Sequence, residues 1–458
     1  MISLLNGKKV HIVGVGGIGM SAIAEILLNL GCSVSGSDLS EGPNTRKLAK
    51  LGAKIFIGHM KENVTDADLV VFSSAVPKNN PELEEAAEKG ISVLKRSEIL
   101  ADIMRLKNGV AIAGTHGKTT TTSLVATVLK SAGLDPTYLI GGIVKNLDGH
   151  AHVGAGDLFV VEADESDGTF LNLSPVISGI TNIDFDHLDF YGDENNLIKA
   201  FDKFAGLVPF YGKVFFNYDD GFSRKLSGMC KKPFGLISTT ETGENIDFSI
   251  SNLKETLGNC TFDLLYFGKC VGEISVALNG IHNIQNCLIA IAVSKEAGLS
   301  FEQIICGLKD FKGVGRRLEV LKSNSNFMIV DDYGHHPTEV SSTIKAVNKL
   351  KGDKELVVVF EPHRYTRTLN CWNEFLQSFS SADSVYILPI YPAGEEPILG
   401  ITSERLVDDL NKRDGLNYKY IESINHLFSE MELEQKIILT MGAGKIGKNI
   451  RERFGIEY

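Results

Sequence analysis

The chain has 458 residues, and at about 150 residues per domain this length predicts three domains rather than one core. Apolar types make up 43% of the residues and charged types 22%, a balance that excludes disorder and collagen-like repetition. The formal net charge of −11 argues against bulk nucleic-acid binding and leaves room only for local basic pockets that take phosphates.

No apolar run approaches the ~18 residues of a membrane span, and Lys8 and Lys9 interrupt the one candidate leader. A cytoplasmic protein without membrane association is expected. In KKVHIVGVGGIGMSAIAEILLNLG, the run Val10 to Val13 reads as a buried parallel strand. Ala22, Ile23, Ile26, Leu27 and Leu30 then recur at helical spacing, and Gly31 ends the helix. Between strand and helix stand Gly14, Gly16, Gly17 and Gly19, with Asp38 closing the next strand-like run. That is the pattern of a dinucleotide fingerprint, but the same turn cradles any diphosphate, including that of a UDP-sugar. Strand-like runs at Cys32 to Gly36 and Leu69 to Ser73 continue an alternating pattern to about residue 105, as in a doubly wound sheet.

A second strand, loop and helix opens at GVAIAGTHGKTTTTSLVATVLKSAG, where Leu124, Val125, Val128 and Leu129 give the helix one apolar face. Gly114, Thr115, His116, Gly117, Lys118, Thr119 and Thr120 supply what a phosphate cradle needs: glycines to turn amides toward oxygens, a helix start, a lysine and a hydroxyl for magnesium. Ile112 stands where the usual pattern has its first glycine. Glu162 closes the apolar run DLFVV, a suitable place for a carboxylate that holds magnesium, and His187 follows in TNIDFDHLDFYG. From Lys213 to Gly280 short alternating stretches suggest antiparallel strands at the domain edge.

The third region begins after GVGRRLEVL, near residue 318, with strand-like runs at ELVVVFEP, SVYILPIYP and KIILTMGAG. Adjacent histidines in Asp331-Asp332-Tyr333-Gly334-His335-His336 make a poor metal site. Arg316, Arg317, His363, Arg364 and Arg367 are candidate clamps for phosphate or carboxylate, because guanidinium groups bind such oxygens bidentately. The seven cysteines form no CxxC pair, so reduced, mostly buried thiols are expected rather than a zinc knuckle or disulfides.

Taken in order, GVGGIGMSAIA, SSAVP with Asn80-Pro81-Glu82, GTHGKTTT, EADESD, TNIDFDHLDFYG, NGIHNIQN, GVGRRLE, DDYGHHPTE, EPHRYTRT, YPAGE and MGAG resemble the Mur ligase family over nearly the whole chain. The resemblance implies an α/β fold of three domains: a Rossmann-like UDP-binding domain at 1–105, a P-loop ATPase domain at 106–317 and a Rossmann-like ligase domain at 318–458. It implies an ATP- and Mg2+-dependent ligase that joins L-alanine to the lactyl carboxylate of UDP-N-acetylmuramate through an acyl phosphate, with ATP binding first and the third domain closing over the central site.

Residue by residue, the resemblance places Lys118 on the outer phosphates and Thr119, Glu162 and His187 at magnesium. It puts Asn283 and Asn286 at the base, and Arg317 and Asp332 at phosphate and ribose. Gly16, Gly17, Ile18, Gly19, Asp38 and Ser74 fall to the UDP-sugar, and His336, Arg364 and Arg367 to the amino acid or substrate carboxylate. Lys445 after MGAG receives no role, and no carbamylated lysine is identified. Competing readings are a nicotinamide dehydrogenase, resting on GVGGIG and Asp38, and a nucleotide switch, resting on the GKTT loop. A sibling ligase that attaches a tripeptide is disfavoured by HRYTRT and YPAGE.

Overall fold

The computed structural model describes residues 5–456 except 74, 143, 148, 187, 257, 415 and 416. The chain forms two compact units, one of residues 1–251, 264–272 and 285–312, the other of 252–263, 273–284 and 313–458.

In the first unit, five strands form a wholly parallel sheet in the order Lys54–Ile57, Ser33–Asp38, Lys9–Val13, Leu69–Phe72, Ser92–Lys95. The order reverses at Lys9–Val13, so the turn that follows this strand lies where open α/β sheets bind ligands. The helix Ile18–Asn29 buries Ala22, Ile23, Ile26 and Leu27 as the spacing predicts, and Gly31 follows in the left-handed region at φ 85°.

The ten-stranded sheet centres on Asn108–Ala113, which lies between Pro175–Ile180 and Leu158–Glu162, parallel to both. One core joins this sheet to the first, with Ile12, Ile23, Ile103, Phe159, Phe170 and Phe201 buried together. Two expectations need correction. The helix Lys118–Ser131 has no single apolar face, since every residue from Thr120 to Leu129 is buried. Its hydroxyls are accommodated because Thr121, Thr122 and Ser123 donate to the carbonyls of Gly117, Lys118 and Thr119 at 3.0, 2.8 and 2.6 Å. The region after Lys213 is also not uniformly antiparallel: Lys213–Asn217, Phe234–Ser238 and the start of Phe248–Thr256 continue the parallel order. Asn259–Tyr266 and Lys269–Val276, which follow in the sheet, are joined by two residues, a connection that only an antiparallel pair can use.

The second unit holds a six-stranded sheet, ordered Glu319–Ser323, Phe327–Asp332, Lys436–Met441, Glu355–Phe360, Ser384–Ile387, Asn417–Tyr420, antiparallel only at its first pair. Val358 and Phe360 enter one core and Val357 and Val359 the other, so both faces are covered and the run LVVVF is apolar throughout. The cysteines are free, but Cys270 and Cys306 are exposed, against the expectation of burial, while Cys32, Cys260 and Cys287 are buried.

A buried acid sits under the first sheet. Asn80 caps the helix Pro81–Glu88 by accepting the Glu82 amide at 2.9 Å, which turns Glu82 inward to meet Ser37 at 2.5 Å, Asn63 at 2.6 Å and His59 at 3.2 Å. Burial alone would raise the Glu82 carboxyl, but the His11 ring 3.6 Å away and the hydrogen bonds from Ser37 and Asn63 outweigh it and hold the pKa at about 2. A depressed carboxylate stabilises the fold above its ordinary pKa and loses that contribution as pH falls through the folded value. Between about pH 4.5 and 2 this group therefore gives up roughly 3 kcal/mol. Urea unfolding at stepped pH should show the stability gap between wild type and Glu82→Gln shrinking across that window; a constant gap contradicts it.

Candidate active site

The strand Asn108–Ala113 delivers the chain into Gly114, at φ 136°, and Gly117, at φ 83°. A Cβ on Gly114 would stand 2.0 Å from Thr181 Oγ1, and one on Gly117 2.4 Å from Asn286 Oδ1, so neither position admits a side chain. The rest of the loop is stitched to the segment after Pro175–Ile180. The Thr115 amide donates to the Asn182 carbonyl at 3.1 Å, the His116 amide to Asn182 Oδ1 at 2.9 Å, and the His116 ring meets Asp184 at 3.2 Å.

Lys118 opens the helix. Its Nζ donates to the carbonyls of Gly114 and Thr115 at 2.7 and 3.2 Å and pairs with Glu165 at 2.6 Å. Burial opposes the charge on this lysine, but Glu165, Asp164 and Glu162 outweigh burial and raise its pKa, so the ammonium stays protonated. One residue on, Thr119 Oγ1 donates to Glu162 at 2.9 Å, and the other Glu162 oxygen accepts the Gly141 amide at 2.8 Å. A hydroxyl and a carboxylate held together are the hard oxygen donors that suit magnesium. Thr120 is buried behind them.

Asn286 is the neighbour of Gly117, while Asn283, one turn earlier on Ile281–Glu296, donates to the Asn279 carbonyl at 2.9 Å. His187 and Ser74 lie outside the described residues. Glu165, Asn182 and Asp184 are the participants that sequence reasoning missed. All three stand inside quoted motifs, EADESD and TNIDFDHLDFYG, as polar residues given no role.

At the glycine turn of the first sheet, the Gly16 amide donates to Asp38 Oδ2 at 2.8 Å and Asn44 Nδ2 donates to the Gly16 carbonyl at 2.8 Å. A Cβ on Gly16 would meet the same Asp38 oxygen at 2.8 Å. Asp38 thus braces the turn from beneath. Gly17 caps the helix without a side-chain hydrogen bond, and Ile18 is 57% exposed. From this turn a cavity of about 260 Å³ extends to the central sheet, with Ile18, Gly19 and Arg96 on one wall and Leu139, Glu162 and Asp164 on the other.

In the second unit, neighbouring arginines have opposite fates. Arg316 pairs with the fully buried Asp331 at 3.3 Å and donates to the Gly442 carbonyl, so it belongs to the fold and is not a clamp. Arg317 meets Glu339 at 3.3 Å and lies over the Tyr333 ring. Asp332 is 5% exposed and accepts the amides of Leu318 and Gly334, both at 2.8 Å; burial raises its pKa against the pull of Arg317. His336 caps the helix Pro337–Leu350, with Nε2 3.8 Å from Cys371 Sγ.

Arg364 stands 4.0 Å from Glu395, and Arg367 Nη1 3.3 Å from His363 Nδ1. The His363 ring stacks on Tyr391 with centroids 5.6 Å apart. Burial, followed by the charges of Arg367 and Arg364, lowers the His363 pKa to about 4, and burial lowers that of His335 to about 4, so both rings are neutral at pH 7. These groups collect beyond the carboxyl ends of Phe327–Asp332 and Glu355–Phe360.

Three family models match the chain: the Mur ligase family catalytic domain over residues 9–108, the Mur ligase middle domain over 112–294 and the Mur ligase glutamate ligase domain over 316–444. A UDP-N-acetylmuramate–L-alanine ligase of Geotalea uraniireducens is 47% identical over 443 residues, covering 96% of each chain. That of Aquifex aeolicus is 44% identical over 441 residues, again covering 96% of each. The crystal structure of UDP-N-acetylmuramate-alanine ligase from Thermotoga maritima superposes with a TM-score of 0.80 at 29% identity, over 98% of this chain and 99% of that one. With the phosphate loop, its carboxylates and three matching models in register along one sequence, the chain belongs to the Mur ligase family.

Proposed function

We propose that this protein is an ATP-dependent ligase that forms the amide between L-alanine and the lactyl carboxylate of UDP-N-acetylmuramate, a step in making the peptidoglycan precursor. The observation that carries the reading is the cavity that starts at the glycine turn and ends at Glu162, which Thr119 ties to the phosphate loop. A sugar nucleotide anchored by its diphosphate at one end of that cavity would present its acid beside the nucleotide cleaved at the other. Neither a dehydrogenase nor a nucleotide switch needs that connection, and the family match sets both aside.

A free carboxylate does not acylate an amine at neutral pH, because oxide is a poor leaving group. Attack of the lactyl carboxylate on the γ-phosphorus breaks the bond to the bridging oxygen and releases ADP, leaving an acyl phosphate. The alanine amine then attacks the acyl carbon, phosphate departs and the nitrogen loses a proton. Lys118 is the group we assign to charge neutralisation during phosphoryl transfer. Thr119 and Glu162, with His187, would hold magnesium, whose chemistry is to neutralise phosphate oxygens. Asn283 and Asn286 are proposed for the base, Arg317 and Asp332 for phosphate and ribose, and His336, Arg364 and Arg367 for the amino-acid carboxylate. Gly16 to Gly19, Asp38 and Ser74 are proposed for the UDP-sugar, and the division at 1–105, 106–317 and 318–458 for the domains.

Among the described residues no helix is long and apolar enough to cross a membrane, and we place the reaction in the cytoplasm, where ATP is supplied. The test is phosphate release with UDP-N-acetylmuramate against L-alanine, L-serine, glycine and the tripeptide. One methyl group discriminates by only ~1–3 kcal/mol, so alanine should lead the small amino acids by a modest factor while the tripeptide gives nothing. Release with the tripeptide alone would transfer the assignment to the sibling reaction.

A further inference from the structure

The cavity in the first unit contains a charge that none of the assignments above uses. Arg96 opens the helix Arg96–Met104, whose start is fixed twice: the Lys95 amide donates to Glu98 at 2.7 Å, and Asn172 Nδ2 donates to Ser97 Oγ at 3.2 Å. A Cβ on Gly19 would stand 3.1 Å from Arg96 Nη1 and 3.5 Å from its Cδ, so the guanidinium and its stem lie directly against the glycine turn. Any larger residue at 19 would displace the arginine.

The Arg96 guanidinium makes no hydrogen bond or ion pair with any described residue. Its surroundings in the cavity are largely apolar, with Ile18, Leu100, Leu139 and Phe170 among them; of the two acids that line it, Glu162 and Asp164, Glu162 is engaged by Thr119 and Gly141. A half-buried cation without an ion pair or hydrogen bond is costly. The group that offsets such a cost is an anion able to accept two parallel N–H bonds, which a diphosphate does and a point charge does not.

We propose that Arg96 is a binding residue for the diphosphate of the sugar nucleotide, clamping it beside the Gly16 to Gly19 backbone. This rests on the reading that the cavity takes a UDP-sugar. It adds to that reading a source of orientation: a guanidinium on a helix braced by Asn172 of the central sheet's own segment fixes the phosphates, and with them the direction in which the sugar runs toward Glu162.

The test is calorimetric titration of the full chain with UDP, uridine and ATP, in wild type, Arg96→Gln and Arg96→Lys. Loss of a charge-assisted pair of bonds predicts UDP binding about 10- to 100-fold weaker in Arg96→Gln, an intermediate loss in Arg96→Lys, and unchanged uridine and ATP affinity. Undiminished UDP affinity in Arg96→Gln with ATP binding intact overturns the proposal. Equal weakening of uridine and UDP also overturns it, since Arg96 would then shape the cavity rather than hold phosphate. Should Arg96→Gln lose ATP binding as well, Arg96→Lys decides: weaker UDP with normal ATP supports the clamp, and unchanged UDP ends it. A wild-type protein that binds ATP but not UDP removes the UDP-sugar reading itself, and the clamp with it.

Discussion

A Lys118→Ala protein is expected to release phosphate on the order of 10²–10³-fold more slowly than wild type with saturating UDP-N-acetylmuramate and L-alanine. The reason lies in where the ammonium is held before any nucleotide arrives. Two carbonyls of the loop and Glu165 surround Nζ at 2.6 to 3.2 Å, so the charge is placed and desolvated in advance. Such a group needs little reorganisation when negative charge builds on the transferring phosphoryl, and this is what gives preorganised cations their effect. Alanine at 118 would also strand Glu165, which is 1% exposed, and that acid would take up a proton instead. Glu165→Gln is the informative companion. It leaves the lysine but removes its resident counter-ion, so ATP should bind with an altered KM while kcat changes far less than in Lys118→Ala. Initial rates of phosphate release over an ATP series separate the two, and a Lys118→Ala enzyme at the wild-type rate refutes the assignment.

The order of motifs was enough to read three α/β regions and the position of the phosphate loop, because glycines between a strand and a helix leave a local signature. What stayed hidden depends on neighbours distant in sequence. Nothing local distinguishes Arg316 from Arg317, yet one turns to Asp331 and the other to Glu339. Leu124, Val125, Val128 and Leu129 read as one apolar face of the helix, whereas hydrogen bonds back along the helix let Thr121, Thr122 and Ser123 be buried as well. Asp38 was legible as an acid near the glycine turn, but its partner is the turn's own amide. Glu165 shows the same limit, since EADESD holds four acids and only the folded chain picks out the one that meets Lys118. Arg96 left no trace in any motif, because its significance comes from Gly19, far away along the chain.

Asp331→Ala should destabilise the second unit by about 3–5 kcal/mol, the cost of leaving buried cations without their acid. Asp331 is fully buried; its Oδ2 accepts from Arg316 at 3.3 Å and from Arg451 at 2.8 Å, and its Oδ1 accepts from Thr440 at 3.0 Å. Arg451 is itself 3% exposed and turns its other nitrogen to Glu319, which also receives the Arg316 amide at 2.7 Å. The four groups thus tie the strands Glu319–Ser323 and Phe327–Asp332 to the last helix, Ile446–Phe454. Removing that acid leaves the Arg316 guanidinium with the Gly442 carbonyl and the buried Arg451 guanidinium with Glu319. The single tryptophan, Trp372, lies in this same unit, so its fluorescence during urea unfolding reports the affected structure directly. The midpoint should fall sharply in Asp331→Ala and less in Asp331→Asn, which keeps an acceptor for Thr440 and for one arginine. Because Asp332 and Arg317 border this network in the chain, ligase activity should fall in both variants in parallel with stability. An Asp331→Ala protein with an unchanged midpoint would mean that the arginines find water or Glu319 at little cost, and that the network does not hold the sheet to its helix.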